Sequence, residues 1–147
     1  MSDSNTHNQK FQCIKPLQPP QENAVRRVIV VEEDQSLNRA IVTYLEMDGY
    51  EVSGIRSAHE FFDQFSTQPY DVAILDVDMP EQTGFALVRY LRNNTDTRII
   101  SLTKSSFQTK RKECLIAGAD VYLEKPVNFR LLSATVGVLF PRLERAL

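Results

Sequence analysis

Cysteine is nearly missing from this chain: Cys13 and Cys114 are the only two among 147 residues. Two thiols cannot build a disulfide framework, and neither has the Cys or His neighbours that a zinc site spaces at short intervals. The scarcity points to a reducing, cytoplasmic setting. Histidine is as rare, and His7 and His59 lie too far apart to suggest a His-based metal site. No apolar run approaches the ~18 residues of a membrane span, and the polar opening "MSDSNTHNQK" does not have the pattern of a secretion signal. A basic excess is missing too. The formal net charge of −2 argues against direct binding to nucleic acid or a membrane surface.

What is present suffices for one domain with a real core, since 42% of the residues are hydrophobic and 24% charged. Residues 1 to 25 are rich in Gln, Asn, Ser and Pro and lack periodicity, so they are expected to be a flexible tail. The alternative is an arm that docks on a partner through Phe11 and Ile14. The domain is expected to occupy 26 to 147. From Arg27 onward, five strand-like runs alternate with five helical patterns. "RVIVVEE" precedes "SLNRAIVTYLEMDG", where Leu37, Ile41, Tyr44 and Leu45 share a face and Gly49 suits the helix end. "YEVSGI" precedes "SAHEFFDQF", with Ser57 and Glu60 as a capping box, and Phe61, Phe62 and Phe65 toward the core. His59 is an ordinary first-turn residue. "DVAIL" precedes "FALVRYLRN", and "RIISLT" precedes "SFQTKRKECLIAG", with Ser106 as cap and Gly118 as stop. "DVYLE" precedes "NFRLLSATVGVLF", capped by Asn128 and ended near Pro141. The first, third and fourth strands are continuous apolar runs, the pattern of parallel strands buried on both faces. The expected fold is α/β: a parallel five-stranded sheet with helices on both sides.

In such a sheet ligands bind outside the carboxyl ends of the strands, where strand order reverses. The stretch "YDVAILDVDMPEQTG" delivers Asp76 and Asp78 there, immediately after a buried strand. Glu32, Glu33 and Asp34 follow the first strand, Thr103 and Lys104 end the fourth, and Lys125 with Pro126 follows the fifth. Crowded carboxylates repel, and a hard divalent cation such as Mg²⁺ relieves them. A metal, a lysine and a hydroxyl converging on a carboxylate describe a site for a phosphoryl group, with Asp76 as nucleophile.

Residues 27 to about 140 resemble the receiver domain of two-component response regulators. The matching pieces are the acids of "VVEED", the loop "LDVDMPEQTG", the Thr of "ISLT", and "GADVYLEKP". The resemblance implies a flavodoxin-like, doubly wound sheet of strand order 2-1-3-4-5. It implies that Asp76 is the phosphoacceptor and that Glu32 and Glu33 hold Mg²⁺, with Glu33 the direct ligand. Asp76 would complete the metal set with the backbone carbonyl of Asp78, whose side chain is then free to point elsewhere. Thr103 and Lys125 would bind phosphoryl oxygens, Tyr122 would be the switch aromatic, and Pro126 would follow a bond that is often cis. The donor would be a sensor histidine kinase or phosphotransfer protein. Any homodimer or partner contact is expected on the fourth helix, fifth strand and fifth helix.

Two residues depart from the family pattern. Glu33 is a methylene longer than the usual Asp, and Lys104 replaces a small residue. Lys104 is expected to reach toward Asp76, compete with Mg²⁺ and weaken its binding. The basic run Lys110, Arg111, Lys112 is either a solvated face or part of a docking surface. A degenerate receiver, binding partners without phosphorylation, is the nearest alternative function. The Asp-x-Asp of "DVDMP" also invites comparison with haloacid dehalogenase phosphatases, but in those the motif follows the first strand. The chain is not expected to be an enzyme, and no effector domain is expected in it.

Overall fold

The apolar runs form β1 (Arg27–Val31), β2 (Glu51–Ile55), β3 (Val72–Asp76), β4 (Arg98–Thr103) and β5 (Val121–Glu124). The connections form α1 (Gln35–Met47), α2 (Ala58–Phe65), α3 (Thr83–Asn94), α4 (Gln108–Ala117) and α5 (Phe129–Leu139), and a 3₁₀ turn (Pro80–Gln82) precedes α3. This computed structural model describes residues 25–104 and 108–140. The expected tail up to residue 24, the Ser106 cap and the chain from Pro141 lie outside the described residues. Val25–Phe140 make one compact unit.

All strand pairs are parallel, in the order β2-β1-β3-β4-β5. Side chains alternate across a strand, so the sheet sorts its residues by parity. Ile29, Val31, Ala73, Leu75 and Ile99 pack on one face with Phe61 of α2, Phe85, Val88 and Leu91 of α3, and Cys114 of α4. Val28, Val30, Val72, Ile74, Ile100 and Leu102 pack on the other, with Ile41 and Leu45 of α1 and Leu132 and Val136 of α5. Each fully buried Val, Leu or Ile contributes roughly 1.5–3 kcal/mol. Burial on both faces is why the central strands are uniformly apolar.

Local signals mostly fall where the sequence places them. Gly49 and Gly118 end α1 and α4 at φ 97° and 121°, a region that favours glycine. Asn128 Oδ1 accepts from the Leu131 N–H and caps α5. Three expectations need correction. Phe62 is not core: it is 43% exposed and meets Tyr90 edge-on, because its position in α2 turns it outward while Phe61 is fully buried. Asp34 is not a site acid but the N-cap of α1, accepting from the Leu37 N–H at 2.9 Å. Ser57 Oγ accepts from the Glu60 N–H at 3.2 Å, but Glu60 Oε1 returns to the Arg56 N–H at 2.8 Å instead of that of Ser57. The glutamate thus reaches one residue further back than a capping box requires.

Candidate functional site

Register brings the chemistry together. Val31 is level with Leu75, Asp76 with Leu102, and Leu102 with Leu123. Glu32, Asp76, Thr103 and Lys125 therefore stand at one carboxyl edge, around the point where the chain turns from β1 toward β2 on one side and β3 on the other. Asp76 ends β3 with 5% of its surface exposed, and Glu32 is 1% exposed. Two carboxylates this buried need compensation.

Lys125 supplies it. Its Nζ lies 2.8 Å from Glu32 Oε1 and 3.4 Å from Asp76 Oδ2. Burial pushes the Lys125 ammonium toward losing its proton, but its contacts with Glu32 and Asp76 outweigh that and hold its pKa above the ordinary value. Burial raises the Glu32 carboxyl above its ordinary value, against the pull of Lys125 and of the Asp34 N–H on its Oε2. Here the burial of Glu32 outweighs its partners, while Lys125, shared by two acids, stays charged. The Lys125–Pro126 bond is cis.

The backbone around the site is fixed by close contacts. Asn38, buried on α1, donates through Nδ2 to the carbonyls of Glu32 (3.0 Å) and Ile55 (2.8 Å), tying the end of β1 to that of β2. Arg56 Nε donates to the Glu33 carbonyl at 3.0 Å. Gly84 lets α3 approach β3: a Cβ there would lie 2.2 Å from the Asp76 carbonyl oxygen. Glu81 and Gln82, in the turn between, adopt left-handed φ values of 59° and 56°.

Asp78 turns its side chain toward the end of β4. Its backbone N–H donates to Asp76 Oδ1 at 2.8 Å. Its Oδ1 accepts from Thr103 Oγ1 at 3.2 Å, its Oδ2 from the Lys104 N–H at 2.6 Å, and Lys110 Nζ stands 3.9 Å from Oδ1. Lys104 thus enters through its backbone; its exposed ammonium pairs with neither Asp76 nor Asp78, contrary to expectation. The extended end of β4 aims the amide inward and leaves the side chain in solvent. The basic run divides: Lys110 is half-buried between Asp78 and the Phe85 ring (5.0 Å), and Arg111 lies over the partly buried Tyr122 ring (5.1 Å).

The expected metal set was Glu32, Glu33, Asp76 and the Asp78 carbonyl. Its oxygen donors suit Mg²⁺ in kind. In the structure Glu33 is exposed and Glu32 is turned onto Lys125, and among the described residues no three or more His, Cys, Asp or Glu side chains gather as a cluster. An ammonium is what the buried acids share. Sequence reasoning missed Asn38, whose polar amide on the inner face of an amphipathic helix was the available signal. It also missed the Asp78–β4 contacts and the part played by Lys110, which depend on β3 and β4 being neighbours.

The Asp76-Val77-Asp78 motif follows β3, so it lacks the placement after a first strand that the phosphatase comparison requires. Among the described residues no helix is long and apolar enough to cross a membrane. The family model for the response regulator receiver domain matches residues 28–137. The transcriptional regulatory protein GltR of Pseudomonas aeruginosa is 34% identical over 120 residues, covering 80% of this chain and 50% of that protein. The TorCAD operon transcriptional regulatory protein TorR of Escherichia coli O157:H7 is 31% identical over 119 residues, covering 81% and 52%. The chain thus spans about half the length of these curated relatives. The chemotaxis protein CheY4 of Vibrio cholerae superposes with a TM-score of 0.73 at 30% identity, over 80% of this chain and 100% of that one.

Proposed function

Because the chain belongs to the response regulator receiver domain family, we propose that it is a phosphoacceptor switch whose acceptor is Asp76. The donor is a phosphohistidine on a sensor histidine kinase or phosphotransfer protein. The supporting observation is the shared ammonium: Lys125 Nζ stands 3.4 Å from the Oδ2 of an almost fully buried aspartate. Asp76 Oδ1 accepts from the Asp78 N–H and Oδ2 faces Lys125, and a carboxylate oxygen of Asp76 attacks phosphorus. The new O–P bond forms as the N–P bond breaks. The bonding pair leaves with the imidazole, whose other nitrogen carries the ring proton. Lys125 then faces the phosphoryl oxygens with a fixed positive charge, and Thr103 offers its hydroxyl from β4. Water later attacks the same phosphorus, and the Asp76 carboxylate is the leaving group. The chain is thus modified and reset without turning over a substrate.

Tyr122, with Arg111 across its ring, lies on the face made by α4, β5 and α5. That face carries the change to a partner or a second copy. Acetyl phosphate with Mg²⁺ should add one alkali-labile phosphoryl group to the wild type and none to Asp76→Asn, as read by intact mass. A group that persists in Asp76→Asn sinks the assignment.

A second reading, a receiver that works without phosphorylation, draws on the exposed Glu33 and the acids already neutralised by Lys125. No phosphoryl uptake by the wild type, with partner binding unchanged in Asp76→Asn, would favour it.

A further inference from the structure

The Asp78 carboxylate is bound the way an oxyanion ligand is bound. Its two oxygens take a hydroxyl and a backbone N–H from the same strand end, Thr103 Oγ1 at 3.2 Å and the Lys104 N–H at 2.6 Å, with the Lys110 ammonium 3.9 Å away. A hydroxyl, an amide and an ammonium around one group make up the donor set that recognises phosphoryl oxygens. These donors also lie just past Asp76 at the sheet edge: Asp76 is level with Leu102 of β4, Thr103 ends that strand and Lys104 follows it. Oxygens of a group grown on Asp76 toward β4 would meet donors that Asp78 already holds.

We propose that Asp78 is an internal oxyanion that competes with the phosphoryl group of Asp76 for Thr103 and Lys104. This rests on the proposed function, and it adds a device that belongs to this chain's own Asp78. Phosphorylation must expel the Asp78 carboxylate from the β4 edge, both because the donors are shared and because two anions would otherwise crowd there. Expulsion also frees Lys110, in the first turn of α4, from its anionic partner. Occupancy of Asp76 is thereby coupled to the position of α4 through one carboxylate, and the unphosphorylated state is favoured by a contact that phosphorylation breaks.

Two substitutions in the full chain separate the contributions. Asp78→Asn keeps an acceptor oxygen for Thr103 or Lys104 but removes the charge; Asp78→Ala removes both. The first readout is the Lys104 amide by NMR without any donor. In the wild type its proton should be downfield and slow to exchange; in Asp78→Ala both features should be lost. The second is phosphoryl uptake from acetyl phosphate. Its acyl-phosphate P–O bond breaks with the pair leaving on acetate while the Asp76 O–P bond forms, so no proton is needed. Uptake should rise several-fold in Asp78→Ala and by an intermediate factor in Asp78→Asn. A merely structural role for Asp78 predicts the opposite, a fall in both. An unchanged Lys104 amide in Asp78→Ala overturns the proposal. Equal or lower uptake in both variants, with the wild type phosphorylated, overturns the competition and leaves the proposed function standing. Uptake by none of the three proteins overturns the proposed function and the competition with it.

Discussion

Lys125 is the residue on which the site's electrostatics turn. It is the cation shared by two buried carboxylates, and removing one partner of a buried pair typically costs about 3–5 kcal/mol because a charge is left uncompensated. Lys125→Met should therefore lose stability of that order in urea denaturation. Adding Glu32→Gln should recover part of the loss, since one stranded charge is then gone. Two stable proteins with equal denaturation midpoints, wild type and Lys125→Met, would contradict this. The pH dependence follows from the directions of the shifts. The Lys125 pKa is raised above its ordinary value of 10.5, so its contribution is complete below that value and is lost as pH rises through the folded value. Glu32 acts with the other outcome on the acid side. Its pKa is raised from 4.5, so the folded state holds that proton more tightly than the unfolded chain. Its cost is absent below 4.5 and grows as pH rises through the folded value. Glu32→Gln should flatten that part of a stability–pH curve, and thermal melts across the range test it.

Single elements owe their placement to a few contacts that the strand and helix patterns do not contain. The Asp34 cap satisfies an otherwise unpaired N–H at the start of α1, and Asp34→Ala should cost about 1 kcal/mol. Gly84 matters more, because it sets the distance between α3 and β3, the strand that ends in Asp76. A methyl group there meets the Asp76 carbonyl oxygen at 2.2 Å and the Val77 Cα at 2.5 Å, both rigid backbone. Gly84→Ala must push α3 and the end of β3 apart. A stability loss on the order of 1–3 kcal/mol is expected, together with slower phosphoryl uptake at a displaced Asp76. Uptake at the wild-type rate would show that the strand end tolerates the shift.

Across the molecule, the site faces the strand ends while the α4–β5–α5 face flanks it on the β5 side of the sheet. Arg111 lies against Tyr122 on that face, and Lys112, the next residue of α4, is exposed. Arg111→Glu with Lys112→Glu should weaken self-association or partner binding several-fold, as measured by sedimentation velocity over a concentration series. Crosslinks confined to α2 and α3 would place the contact elsewhere. Burial pushes the Cys114 thiol up, which keeps it protonated within the core cluster and leaves it a packing residue.

The parallel α/β architecture was legible from the chain alone because strands buried on both faces must be apolar throughout, as in "VAILD", and helices that cover them must carry one apolar stripe. The convergence of Glu32, Asp76, Thr103 and Lys125 was legible for a related reason. Parallel strands all end at one edge, so residues just past each strand share that edge whatever their separation in sequence. What each side chain does there was decided by the tertiary structure. Asp34, next to two acids, becomes a helix cap because its oxygen lies nearest the free amides of α1. Lys104 lends an amide because the strand direction aims its side chain at solvent. Asp78 reaches β4, and Glu32 turns to Lys125, because neighbours in a sheet are set by strand order. A local sequence pattern carries periodicity and propensity; it does not carry which donor lies within 3 Å of which oxygen.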